Sequence, residues 1–147
     1  MPSNPPEGSQ RIVPYLYYED GPAVLEFLCR AFGFEERIAI RRGDGSLMHA
    51  EVGYQDNRVM LGTPVDESGT PSPVKDVPVR TSSVMCYVDD VDAHYARARA
   101  AGAEIVQALE DRPYGDRTYT AVDPEGHHWH FATHLRDVDP AALEAPA

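Results

Sequence analysis

The chain has 147 residues and a formal net charge of −11, with 42% hydrophobic and 25% charged residues. That is about one domain of chain with the apolar content of a globular core, which excludes disorder for want of hydrophobic residues. The acidic balance excludes nucleic acid as a partner, because neutralising phosphates needs clustered Lys and Arg; it permits a cationic ligand, or serves solubility alone.

The first residues, MPSNPPEGSQ, carry neither the basic start nor the apolar segment of a signal peptide. They read as a flexible tail over 1–10. No apolar run approaches the ~20 residues of a membrane span, so a soluble cytoplasmic domain without a membrane partner is expected over 11–137. A β-type run, IVPYLYYED, opens it. Asp20 and Pro22 then suit the first turn of a helix. That helix runs through AVLEFLCRAF, burying Val24, Leu25, Leu28 and Phe32 at helical spacing, and stops at Gly33. Strand-like segments follow at 35–42, 47–54 and 57–62, separated by Gly43-Asp44-Gly45 and Asp56-Asn57.

Residues 63–80, with Pro64, Pro71, Pro73, Pro78 and Gly69, have a linker composition. Next comes the β-type run SVMCYVDD with Asp90 as a cap, then the helix VDAHYARARAA ending at Gly102. Strand-like segments are expected at 104–109, 117–122 and 127–133, the last two parted by Asp123-Pro124-Glu125-Gly126. Residues 138–147 read as a second tail. Cys29 and Cys86 lie in apolar contexts and form no metal-type pair, so both are expected as buried free thiols.

Strand, helix and three strands thus occur twice, over about 11–62 and 81–134. Placed 69 residues apart, segments 18–35 and 87–104 match at six positions: Tyr18/Tyr87, Asp20/Asp89, Arg30/Arg99, Ala31/Ala100, Gly33/Gly102 and Glu35/Glu104. The pattern predicts an α+β protein of two βαβββ modules. It contains neither a Gly-rich nucleotide loop nor a GxSxG elbow.

Period-two alternation assigns Pro14, Leu16, Tyr18, Val59, Leu61, Ser83, Met85, Tyr87, His128 and His130 to an inner face. Val84, Cys86, Val88, Trp129 and Phe131 turn to the helices. His49 and Glu51 share a face opposite Met48, Ala50 and Val52. Aromatic and aliphatic walls with a few hydrogen-bonding groups suit an organic ligand, or serve core and dimer packing. His49, Glu51 and either His128 or His130 have the composition of a two-histidine, one-carboxylate metal site, or are polar positions on a wet surface. His94 and His127 are expected to face solvent. Arg117, after the loop of Tyr114 and Gly115, either clamps a carboxylate or phosphate or makes a surface ion pair. Asp89, Asp90 and Asp92 read as cap and helix-start charges.

The stretches PYLYYEDGPAVLEFLCRAFGFEER, MHAEVGYQDNRVMLG and YGDRTYTAVDPEGHHWHFATH, with the repeat, cover about 12–134. They resemble the vicinal oxygen chelate superfamily of glyoxalases, bleomycin-resistance proteins and extradiol dioxygenases, and within it the PhnB-like branch. The resemblance implies a cup-shaped mixed sheet with helices outside, usually in a homodimer, with the Tyr114 loop bordering the pocket. Metal-using members place four His/Glu-type ligands on the first and last strands of each module. Carried onto this chain, those positions are Pro14, Leu61, Ser83 and His130, where a single histidine replaces the full donor set.

The expectation is therefore a metal-free, cofactor-free cup that binds a small organic molecule, as in a drug- or metabolite-sequestering protein. Its ligand-binding residues would come from Tyr18, His49, Glu51, Leu61, Ser83, Met85, Tyr87, Tyr114, Arg117, His128 and His130. The alternative is a lyase, isomerase or dioxygenase acting on a small oxygenated substrate through a non-standard divalent-metal site or His/Tyr acid–base chemistry. A third reading is a structural dimer whose cup is incidental.

Overall fold

Each half of the chain folds as strand, helix and three strands. The computed structural model describes residues 4–63 and 82–143, and the chain divides into two units, Met1–Arg80 and Thr81–Ala147. In the first, β1 (Tyr15–Tyr17), α1 (Gly21–Phe32), β2 (Glu35–Arg41), β3 (Leu47–Tyr54) and β4 (Asn57–Gly62) give a sheet of order β1-β4-β3-β2. In the second, β5 (Val84–Tyr87), α2 (Val91–Ala100), β6 (Glu104–Asp111), β7 (Asp116–Val122) and β8 (His128–His134) give β5-β8-β7-β6. A 3-10 turn follows at Pro140–Ala142. The pairs β1/β4 and β5/β8 are parallel and the others antiparallel. The protein is therefore α+β, with two βαβββ modules built on mixed sheets. Apart from Thr63, the Pro-rich linker expected at 63–80 lies outside the described residues.

The helix ends follow from local chemistry. Asp20 and Asp90 each accept a hydrogen bond on the side chain from the backbone N–H three residues on, Ala23 at 3.2 Å and Ala93 at 3.0 Å. Gly33 ends α1 in the left-handed region at φ 76°, which a side chain would resist. In the second module the DPEG turn is held by Asp123. Its carboxylate accepts from the N–H groups of Glu125 at 3.0 Å and His127 at 3.1 Å, and from Nε1 of Trp129 at 3.0 Å.

One face of each sheet is packed by its helix, and the two modules fill that layer differently. In the first, much of the bulk comes from the helix: Val24, Leu25, Leu28 and Phe32 are buried over Ala50, Val52 and Leu61 of the sheet. In the second, α2 buries only Val91, His94 and Ala98, and the sheet supplies Tyr119, Trp129 and Phe131, all fully buried. Volume has moved from helix to sheet while the layer stays filled. His94, expected in solvent, belongs to this core: its Nδ1 meets the Tyr119 hydroxyl at 2.6 Å and its ring lies 4.3 Å from that of Phe131. The partner hydroxyl makes burial affordable for a polar ring.

The strand register corrects the inner face of the first module. Tyr15 pairs with Met60 in β1/β4, and Met85 pairs with His130 in β5/β8. Both members of the second pair lie 70 residues beyond those of the first. The caps Asp20 and Asp90 are also 70 apart, whereas the left-handed glycines Gly33 and Gly102 are 69 apart. The extra residue is absorbed in the helix, α1 having 12 residues and α2 having 10. A 69-residue offset therefore slips β1 and β4 by one, and a one-residue slip turns every side chain to the other face. Leu16, Tyr18 and Leu61 are buried on the helix side, not on the inner face. Tyr15, Tyr17 and Met60 take the helix-free side. The second module keeps its assignment, with Met85 and Tyr87 exposed and Val88, Trp129 and Phe131 buried.

Cys29 and Cys86 are free and half-buried, less enclosed than expected. Among the described residues no helix is long and apolar enough to cross a membrane.

Candidate functional site

The helix-free face of the first sheet carries a chain of polar contacts between aromatic and aliphatic side chains. Tyr15 Oη lies 2.9 Å from His49 Nδ1, and His49 Nε2 lies 3.3 Å from Glu51 Oε1. Arg58 donates to the other carboxylate oxygen at 2.7 Å and to the Gly8 carbonyl at 3.3 Å. Period-two spacing puts His49 and Glu51 on one face of β3, and the register brings Met60 opposite Glu51. Glu51 is buried, which an unpaired carboxylate would resist; the Arg58 guanidinium compensates it. The carboxylate also fixes the imidazole proton on Nε2, so Nδ1 accepts the Tyr15 hydroxyl. Burial, with the nearby Tyr17 and Glu51, holds the Tyr15 phenol above its ordinary pKa. The Tyr15 and Tyr17 rings stand 5.1 Å apart, and on the far edge of the sheet Ile38 and Ile40 of β2 are exposed opposite Glu51 and His49 in the pairing register.

The second sheet holds two such clusters. In one, Tyr87 donates to Asp116 Oδ2 at 3.0 Å, and His134 is clamped between Asp116 at 2.6 Å and Asp137 at 2.7 Å. The two carboxylates, Asp137 first, raise the His134 pKa; the bond to Asp116 raises that of Tyr87. In the other, His130 Nδ1 meets Thr120 Oγ1 at 2.7 Å, Thr120 donates to Gln107 at 3.0 Å, and His130 Nε2 lies 3.2 Å from Ser83 Oγ. Burial, with the neighbouring His128, lowers the His130 pKa, so the ring is neutral near pH 7. His128 is exposed, its ring 6.5 Å from that of His130.

The remaining expected residues divide. Tyr114 is exposed in the turn before β7. Arg117 is not a clamp on the helix-free face: it pairs with Thr133 on the helix side, and its guanidinium binds Asp111 at 2.6 Å and Asp92 at 3.0 Å. Tyr18 and Leu61 are core. Tyr15, Tyr17, Arg58, Met60, Asp116 and Thr120 were missed as face residues. For the first module the available signal was the cap pair Asp20/Asp90, whose 70-residue spacing gives the correct register.

With the register corrected, the metal-donor positions that the family resemblance implies fall on Val13, Met60, Ser83 and His130. Valine has no donor, methionine offers a soft thioether, serine is a neutral hydroxyl, and both nitrogens of the one imidazole are engaged. This set does not fit a hard or borderline divalent ion. Among the described residues no group of three or more His, Cys, Asp or Glu side chains could hold a metal ion.

Two βαβββ modules, each with its helix on one sheet face and polar clusters on the other, define the class of fold. The chain belongs to the glyoxalase/bleomycin resistance protein/dioxygenase superfamily, whose family profile matches residues 10–131. It is 35% identical over 137 residues to an uncharacterized protein of Mycobacterium bovis, covering 90% of this chain and 88% of that one. Among solved structures it is similar to TioX from Micromonospora sp. ML1, with TM-score 0.68 and 31% identity, covering 88% of this chain and 100% of that one. TnmS3, an antibiotic binding protein from Streptomyces sp. CB03234, shares the fold with TM-score 0.61 at 19% identity, covering 85% of this chain and 97% of that one.

Proposed function

We propose that this protein binds a small organic molecule on the helix-free faces of its sheets, without a metal ion, and sequesters a drug or metabolite. The observation that carries the reading is the residue set itself. Where metal ligands would stand are Val13, Met60, Ser83 and His130, while Tyr15, Tyr17, Met85 and Tyr87 lie exposed around them on their own sheets. Rigid aromatic and thioether surface with a few fixed polar groups is the composition of an organic-ligand site. The antibiotic-binding TnmS3 supports the reading as an example of the fold used for binding. The PhnB-like affiliation rests on the motif resemblance. A homodimer is supported by the large apolar side chains a single chain leaves exposed, among them Ile38, Ile40 and Met48. Free Cys29 and Cys86 support action in the reducing cytoplasm.

Native mass spectrometry of the purified protein, with elemental analysis after incubation with Mn, Fe, Ni or Zn, tests this. The expected result is an organic adduct and no stoichiometric metal. One equivalent of a divalent ion that is lost on His130→Ala would overturn it.

A second reading, acid–base catalysis on a small oxygenated substrate, is favoured by the Tyr15–His49–Glu51 chain, in which a carboxylate orients an imidazole against a hydroxyl. Turnover of the adduct molecule, abolished by His49→Ala, would establish it; recovery of the molecule unchanged would reject it.

A further inference from the structure

Three hydroxyl groups exposed on the helix-free faces spend their single proton on a neighbour in the same sheet. Tyr15 gives its proton to His49 Nδ1, because Glu51 holds the imidazole proton on Nε2. Tyr87 gives its proton to the Asp116 carboxylate, which has none to return. Ser83 gives its proton to His130 Nε2: Thr120 donates onward to Gln107, so it takes the Nδ1 proton of a neutral ring and leaves Nε2 bare. A hydroxyl has one donor hydrogen and two lone pairs. With the hydrogen committed inward, each of these oxygens faces outward as an acceptor. Of the nearby donors, His134 is committed to Asp116 and Asp137, and Arg58 gives N–H groups to Glu51 and Gly8 while its Nε is buried away from the surface.

Resting on the small-molecule reading above, we infer that these faces select planar aromatic ligands that carry hydrogen-bond donors, as amino or hydroxyl groups on the ring, and discriminate against ligands of the same shape that offer only acceptors. On the first sheet the Tyr15 and Tyr17 rings receive the ring face of a ligand and Tyr15 Oη its N–H or O–H group; on the second sheet Ser83 and Tyr87 offer the same kind of acceptor. An acceptor-only ligand meets lone pair against lone pair and must lose its water without replacement, the asymmetry that makes a missing hydrogen bond cost more than a made one gains. The net charge of −11 adds to the bias by disfavouring anionic acceptors.

The test is an NMR titration of the full chain, ¹⁵N-labelled, with four one-ring probes: resorcinol, benzene-1,3-diamine, 1,3-dimethoxybenzene and isophthalate. Resorcinol and its dimethyl ether share the ring and both oxygens and differ in the O–H donors. The expected result is that resorcinol and the diamine bind at least about tenfold more tightly than the ether, the worth of roughly one hydrogen bond, with isophthalate weakest. Tyr15→Phe and Tyr87→Phe, which keep the rings, should each shrink the resorcinol-to-ether ratio. Equal binding of resorcinol and the ether would overturn this inference and leave the small-molecule reading standing. An unchanged ratio in both variants would also overturn it. Failure of all four probes would overturn it too, and the organic adduct sought above would then decide the broader reading separately.

Discussion

Tyr17 and Tyr18 are chain neighbours on opposite sides of one sheet: Tyr18 is 0% exposed beneath α1, and Tyr17 is 47% exposed on the helix-free side. The difference is the pleat of the strand end, and it separates a stability residue from a surface residue. Tyr18→Ala should destabilise the protein by about 3–5 kcal/mol, the cost of deleting a buried aromatic side chain. Tyr17→Ala should cost less than about 1 kcal/mol yet weaken ligand binding. Urea unfolding of both variants checks the pair, and similar losses would contradict the register.

Asp123 anchors the DPEG turn through three hydrogen bonds, one from the buried Trp129 indole. Asp123→Ala leaves that N–H without its acceptor inside the core. A loss of about 2–3 kcal/mol in denaturant unfolding is expected, since an orphaned buried donor costs its desolvation. Trp129 fluorescence follows the same transition.

These two cases show what was legible in the chain. The DPEG turn, both caps, α1's buried stripe and the β8 alternation of His128 and His130 against Trp129 and Phe131 could all be read, because each is fixed by local spacing. The inner face of the first module could not be read from the best repeat match. That match counted through a helix whose length differs between modules, and identities such as Tyr18/Tyr87 favoured the wrong offset. The role of His94 was hidden for a different reason: the long-range Tyr119 hydroxyl helps make a buried histidine acceptable there. The partners of Arg117 and Asp116 were likewise set by cross-strand contacts that sequence spacing does not specify.

His130 and His134 of β8 should have pKa values shifted in opposite directions. His134, held by Asp137 and Asp116, has its folded-state pKa raised above about 6.5. Its contribution to stability is complete below the ordinary value and is lost as pH rises through the raised one. His130, partly buried and beside His128, has its pKa lowered. The folded protein then binds fewer protons than the unfolded chain between the lowered and ordinary values, so its contribution is present above that window and lost as pH falls through it. Imidazole C–H shifts followed by NMR against pH check both. Midpoints on the same side of the ordinary value would contradict the clusters.

Arg117 is satisfied by Asp111 and Asp92 on the helix side. Arg117→Ala should change ligand affinity by less than about twofold, since exposed ion pairs carry little energy. A tenfold loss in a calorimetric titration would place the guanidinium at the ligand after all.

The central claim is that ligands bind on the helix-free sheet faces. Backbone and methyl chemical-shift mapping with a bound organic ligand tests it most directly. The expected result is that shifts concentrate at Tyr15, Tyr17 and Met60 on the first sheet, or at Met85, Tyr87 and His130 on the second, and spare Val24, Leu28 and Ala98 on the helix layer. Shifts centred on the helices, with the six face residues unmoved, would contradict it.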